Sequence, residues 1–218
     1  MIKAEHSILA RYISTIYINR ILKKSFSHFY IVNDIPELPS DKAVLLTSNH
    51  ISWWDGFFID FLNRRFFKRK VYIMILEEQL KKYSFFKKIG GFSINPGSII
   101  DLKESLNYTS ELLLNKENLA IIFPEGELKP FDVEEKPIKK GVLSLSKNKS
   151  ISFTVLIIAI KINFYNERFP EVYISFGPVM DSEKLKNNFI QYKQSFFENI
   201  TAVHNASINR IYLKDLFK

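Results

Sequence analysis

The stretch Ala43-Val44-Leu45-Leu46-Thr47-Ser48-Asn49-His50-Ile51-Ser52-Trp53-Trp54-Asp55 decides the architecture of this chain. Its opening residues, Ala43 to Thr47, are an apolar run that reads as a short buried strand. A strand that stops at an Asn-His pair delivers an imidazole to the edge of a sheet. An aspartate five residues on can turn back to hold one ring nitrogen, which leaves the other free to take a proton from an alcohol or water. The competing reading is a surface histidine near an aspartate that only caps the next helix, because Asp55 stands where a cap belongs.

Downstream, Phe123-Pro124-Glu125-Gly126-Glu127 also follows an apolar run, Leu119 to Ile122. The two clusters lie about 75 residues apart, a separation that fits two intervening β–α units. Polar clusters at the ends of separate strands are how an open α/β sheet builds a site. Asn49 can hydrogen-bond the first loop, and Glu125 can equally be a solvated turn residue beside a glycine needed for positive φ.

Around these two points the pattern predicts a helix over 7–30, a loop at Pro36 and Pro39, a strand over 43–48, and a helix from Asp55 to Phe67. Further on it predicts a strand from Val71 to Leu76, a turn at Gly90-Gly91 and a short strand at 92–94. A helix over 99–115, a strand over 119–123, a helix over 138–148, strands over 153–162 and 171–176, and a mostly helical tail from Ser182 complete it. The expected fold is α/β: a single-domain sandwich around a mixed, largely parallel sheet, with an N-terminal amphipathic helix. Residues 1–35 form a basic helical segment and a candidate for membrane contact, and 36–218 the domain proper. Packing on the core and lying in a membrane interface both suit the first helix, whose broad face carries Leu9, Tyr12, Ile13, Ile16, Tyr17 and Ile21.

The 218 residues suffice for one domain with a real core, and 46% hydrophobic content excludes a disordered chain. The absence of cysteine excludes disulfides, thiolate-bound zinc, iron–sulfur clusters and a thiol nucleophile. A net charge of +8 favours a negatively charged partner. No segment reaches the roughly 18 uncharged apolar residues of a spanning helix, and residues 1–6 lack the form of a signal peptide. No Gly-x-Ser-x-Gly elbow, phosphate loop, dinucleotide fingerprint or His-Glu-x-x-His pair is present. His6, His28 and His204 have no carboxylate pattern nearby and read as structural or exposed.

Asn49-His50-x4-Asp55 and Phe123-Pro124-Glu125-Gly126, in this order, resemble the first and third motifs of the glycerolipid acyltransferase family, whose best-known members acylate lysophosphatidic acid. The resemblance spans about residues 40–165. It implies acyl transfer from acyl-CoA or acyl carrier protein, as co-substrate, to a lipid hydroxyl; the alternative is a non-catalytic membrane lipid-binding relative that keeps the same fold. His50 would be the general base, Asp55 its support, and Asn49, Glu125, Gly126 and Lys129 would lie on the substrate side, with neither metal nor cofactor. The chain departs from the pattern in three places. Gly91-Phe92-Ser93-Ile94-Asn95-Pro96 lacks the arginine that usually ends the second motif. Glu127-Leu128 stands where the third continues with an arginine, and the strand at Phe153 to Ile157 lacks a proline. Those arginines are associated with the acceptor phosphate. The resemblance therefore leaves two acceptors, a lysophospholipid or a phosphate-free lipid or glycolipid, and the second is favoured unless Lys129, Lys139 or Lys140 compensates.

The run Arg64-Arg65-Phe66-Phe67-Lys68-Arg69, with Trp53 and Trp54, fits an anionic membrane surface better than a solvated helix end, and nucleic acid is not expected because no recognised module accompanies it. The expected location is peripheral, on the cytoplasmic face of a bacterial inner membrane.

Overall fold

The computed structural model describes residues 1–132, 137–148 and 150–218. Ser7 opens the first helix, α1 (Ile8–Ser25), its side chain accepting from the Ala10 N–H. The chain then runs through β1 (His28–Ile31), β2 (Ala43–Ser48), α2 (Asp55–Leu62), β3 (Lys70–Leu76), α3 (Glu77–Lys82), β4 (Gly91–Ile94), α4 (Ile99–Leu112) and β5 (Asn118–Ile122). The short α5 (Gly141–Ser146), β6 (Phe153–Asn163), β7 (Glu171–Phe176), β8 (Met180–Asp181), α6 (Ser182–Asn187), α7 (Phe189–Asn209) and β9 (Lys214–Asp215) follow.

Among the described residues the strands form one nine-stranded sheet in the order β4-β3-β5-β2-β6-β7-β1-β9, with β8 beside β6. The strands β4, β3, β5, β2 and β6 are parallel; β7 returns antiparallel to β6, and β1 runs parallel to β7. Strand alternation sorts the core into two layers. Val44 and Leu46 pack with Leu119 and Ile121 against Ile18 and Leu22 of α1 and Phe58 and Leu62 of α2. Leu45, Ala120 and Ile122 face the other way, onto Val142, Leu145, Tyr192 and Phe196 of α5 and α7. A fully buried side chain of this kind contributes on the order of 1.5–3 kcal/mol.

These layers fix where a site can form. The chain leaves β2 onto the α1/α2 face and leaves the adjacent β5 onto the α5/α7 face. Neighbouring parallel strands whose connections part to opposite faces open a crevice at their carboxyl ends.

The predicted α/β sandwich with a mixed, largely parallel sheet is what the structure shows, but several boundaries differ. The helix expected over 7–30 ends at Ser25, and His28–Ile31 is a strand paired with β7 and β9. The helix expected to reach Phe67 ends as α-helix at Leu62 and continues as a single π turn, Asn63–Phe67. There the buried Asn63 side chain both donates to the Arg69 carbonyl (2.8 Å) and accepts from the Arg69 N–H (3.1 Å), folding the chain towards β3. The helix expected over 138–148 spans only Gly141–Ser146. Between β3 and β4, where the pattern predicts no element before the turn at Gly90, the chain forms α3 and a 3₁₀ segment, Ser84–Ile89.

Candidate functional site

His50 and Glu125 stand just past the carboxyl ends of the paired strands β2 and β5. The His50 Nδ1 lies 2.8 Å from Asp55 Oδ2. The same carboxylate oxygen accepts from the N–H groups of Ile51 (2.8 Å) and Ser52 (2.9 Å), and Oδ1 accepts from the Ser52 hydroxyl (2.7 Å). Asp55 is fully buried, so these four contacts replace the water it has lost. The helix-cap alternative is set aside, because Trp54 occupies the cap position of α2 and the Asp55 carboxylate faces back to the loop. A carboxylate can only accept. Nδ1 therefore carries the proton, and Nε2 is the nitrogen left to act as a base. The imidazole also stacks on Phe123, with ring centroids 4.1 Å apart and planes 15° from parallel.

The loop after β5 grips the same residue. Glu125 Oε2 accepts from the His50 N–H at 3.0 Å, and the Lys129 N–H donates to the His50 carbonyl at 2.9 Å. Gly126, at φ 74°, reverses the chain there, and the Lys139 side chain lies directly over its Cα, so that any side chain at 126 would collide with the lysine stem. The Lys139 N–H closes the loop by donating to the Pro124 carbonyl (2.8 Å).

His50 lines a cavity of about 850 Å³ that passes over the carboxyl ends of β3 and β5 and reaches both faces of the sheet. One lobe runs beside α2 between Phe57, Ile73 and Phe86 and is bordered by Arg11 and Asp60. The other meets Met74, Leu106 and Val142, with Lys139 and Lys140 at its rim. The walls are mostly apolar and the charges are few, which suits an acyl chain more than a polar metabolite.

His50 and Asp55 are brought together as the sequence predicts, and Gly126 lines the same cavity. Asn49 and Glu125, expected on the substrate side, do not line it. Asn49 is fully buried, its amide donating to the Ile160 carbonyl and accepting from the Ile160 N–H, both at 2.8 Å. Glu125 is buried as well, with its carboxylate on the His50 backbone. Lys129 turns its ammonium to Glu127, 3.1 Å away.

The expected membrane-contact residues do not form one surface. Trp53, half exposed, lies at the carboxyl edge of the sheet, whereas Arg64 to Arg69 lead into Lys70, which pairs with the first residue of β5 at the opposite edge. Trp54 packs against Phe26, while Phe66 and Phe67 pack on the core. Arg64 bonds Asp60 and Asn19, Arg65 covers the Phe61 ring, and Arg69 reaches the carbonyls of Pro39 and Lys116. Lys68 is exposed. On α1, of the broad face read from the sequence, Leu9, Tyr12, Ile13, Ile16 and Tyr17 are exposed together with Ile8.

The other histidines have partners distant in sequence. His28 Nδ1 lies 2.7 Å from Asp215, and Lys161 donates to His204 Nδ1 at 2.7 Å. Among the described residues no three His, Asp or Glu side chains gather as a metal-ligand set, and no helix is long and apolar enough to cross a membrane.

The family model described as "Acyltransferase" matches residues 29–162, more than half of the chain. No curated protein sequence matches. Among solved structures the chain is similar to the crystal structure of the 1-acyl-sn-glycerophosphate (LPA) acyltransferase PlsC from Thermotoga maritima. The TM-score is 0.63 and the identity 17%, over 88% of this chain and 77% of that one.

Proposed function

This chain belongs to the acyltransferase family, and we propose that it moves a fatty acyl group from acyl-CoA or acyl carrier protein to the hydroxyl of a lipid acceptor, with His50 as general base. The observation that carries this reading is the His50–Asp55 contact at the rim of an apolar cavity large enough for an acyl chain. A thioester is already activated, so the acceptor oxygen can attack its carbonyl directly. As the C–O bond forms, His50 Nε2 takes the hydroxyl proton, and the Asp55 carboxylate stabilises the imidazolium. The tetrahedral intermediate then collapses, the C–S bond breaks, and the departing thiolate takes the proton back from His50. No acyl-enzyme is needed.

The acceptor is a lysophospholipid or a phosphate-free lipid or glycolipid. Glu127 stands beside Gly126 where the related motif has an arginine, and Lys129 neutralises it, which favours the phosphate-free class. Gly126 and the Lys139 ammonium above it would meet the acceptor. The protein would reach its lipid substrates peripherally, through the apolar face of α1 on an anionic membrane.

Thiol release from acyl-CoA, followed with a lysophospholipid in one series and a phosphate-free monoacyl lipid in the other, tests both levels. His50→Ala is expected to lower turnover by about 10²–10⁴ with an unchanged melting temperature. Full activity in that variant would refute the assigned base.

A further inference from the structure

The loop that carries His50 has lost its strand partners. β2 ends at Ser48, so the peptide groups on either side of His50 no longer belong to the ladder and need other partners. The chain supplies both from one place, the turn after β5. The Glu125 carboxylate takes the His50 N–H at 3.0 Å, and the Lys129 N–H meets the His50 carbonyl at 2.9 Å. Glu125 is 1% exposed, while its neighbours Pro124 and Gly126 form the cavity wall. Its surroundings are interior: Tyr192 of α7 lies close enough that the carboxylate adds to the effect of burial in pushing the phenol upward.

We propose that Glu125 is a positioning residue for His50 rather than an acceptor ligand, gripping the histidine's own peptide from the turn after β5. This inference rests on the reading of His50 as the base. A carboxylate bonded to a backbone N–H is stronger and more directional than a neutral pair. The grip fixes the His50 backbone, and Asp55 and Phe123 then fix the ring. A base misplaced by a fraction of an ångström loses rate without losing substrate, because the acceptor never touches Glu125.

Three variants separate the two roles. Glu125→Gln keeps an oxygen that can accept the His50 N–H, Glu125→Asp is one methylene too short, and Glu125→Ala removes the acceptor. For the alanine and aspartate variants kcat is expected to fall about 10- to 100-fold with the acceptor KM within about twofold, and glutamine is expected to restore most of the rate. Amide hydrogen exchange at His50, followed in the same proteins, is expected to speed up about tenfold in the alanine and aspartate variants and to stay slow with glutamine. A KM raised about tenfold at unchanged kcat, or His50 exchange indifferent to all three substitutions, would overturn the assignment. If Glu125→Ala does not fold, the aspartate variant carries the same comparison. If the unaltered protein transfers no acyl group from any thioester, the proposed reaction fails, and the exchange measurement still decides the grip.

Discussion

The side chain of Asn49 takes over from the backbone where β2 stops. Its amide presents one donor and one acceptor to Ile160, and so adds a final rung between β2 and β6 while the main chain is already turning away to deliver His50. An aspartate cannot donate to that carbonyl, and a leucine satisfies neither group. Asn49→Leu is therefore expected to cost roughly 2–4 kcal/mol, because two buried backbone groups lose their partner. Urea unfolding would show this as a lower midpoint at unchanged slope. The sequence shows Asn49 as a polar neighbour of the His50–Asp55 pair that can bond the loop. It does not show that β6 passes beside it, since Ile160 is 111 residues away. His50 and Asp55 were legible because their partnership is local, only five residues apart, and needs no knowledge of the sheet. Glu125 was legible as a member of the site but not in its role, which depends on β2 and β5 being neighbours.

At the scale of elements, α1 shows how a correct reading of composition can miss a boundary. Nothing between Ser25 and His28 is a helix breaker, and His28-Phe29-Tyr30-Ile31 continues the apolar run. Only pairing with β7 and β9, both far along the chain, turns these residues into a strand. The periodicity within the helix is nevertheless informative. Ala10, Ser14, Ile18 and Leu22 form the narrow buried stripe, and the bulkier residues that looked core-like face solvent. That arrangement favours the interfacial alternative for this helix, with exposed Arg20, Lys23 and Lys24 beside the apolar face. Ile13→Glu combined with Ile16→Glu is expected to weaken binding to anionic vesicles by about tenfold or more in a flotation assay, since each replaces apolar surface with a like-charged group. Both side chains are about half exposed, so the melting temperature should not fall. Binding by the double variant equal to that of the unaltered protein would remove α1 as the membrane face.

On the scale of the whole molecule, both edges of the sheet are sealed by segments outside the parallel core, and each seal contains an acid-sensitive group. At the β4 edge the Ile2 carbonyl accepts from the Ser93 N–H, and His6 packs edge-on against Tyr72. At the β1 edge β9 pairs antiparallel, and Asp215 accepts from His28 and from the N–H groups of Phe29 and Phe217. Covered edges cannot template pairing with another chain. Burial, with help from Lys70 and Arg11, lowers the His6 pKa to about 4 from 6.5. The unfolded chain therefore binds this proton first as pH falls. The contribution of neutral His6 is whole above about 6.5 and is lost as pH drops from there to about 4. For Asp215 burial pushes the other way, but the bonds from His28 and from the backbone outweigh it and hold the carboxyl below its usual range. Its contribution is present above the unfolded value and is lost as pH falls through the lowered one, so it adds to the loss at the acid end. The expected outcome is a melting temperature that declines below about pH 6.5, accompanied by light scattering as the edges open. His6→Leu should flatten the part of that decline between pH 6.5 and about 4, because the titrating group is gone, and leave the steeper fall below it in place. A decline of equal slope in both proteins across that window would show that the β4 seal does not respond to acid through His6.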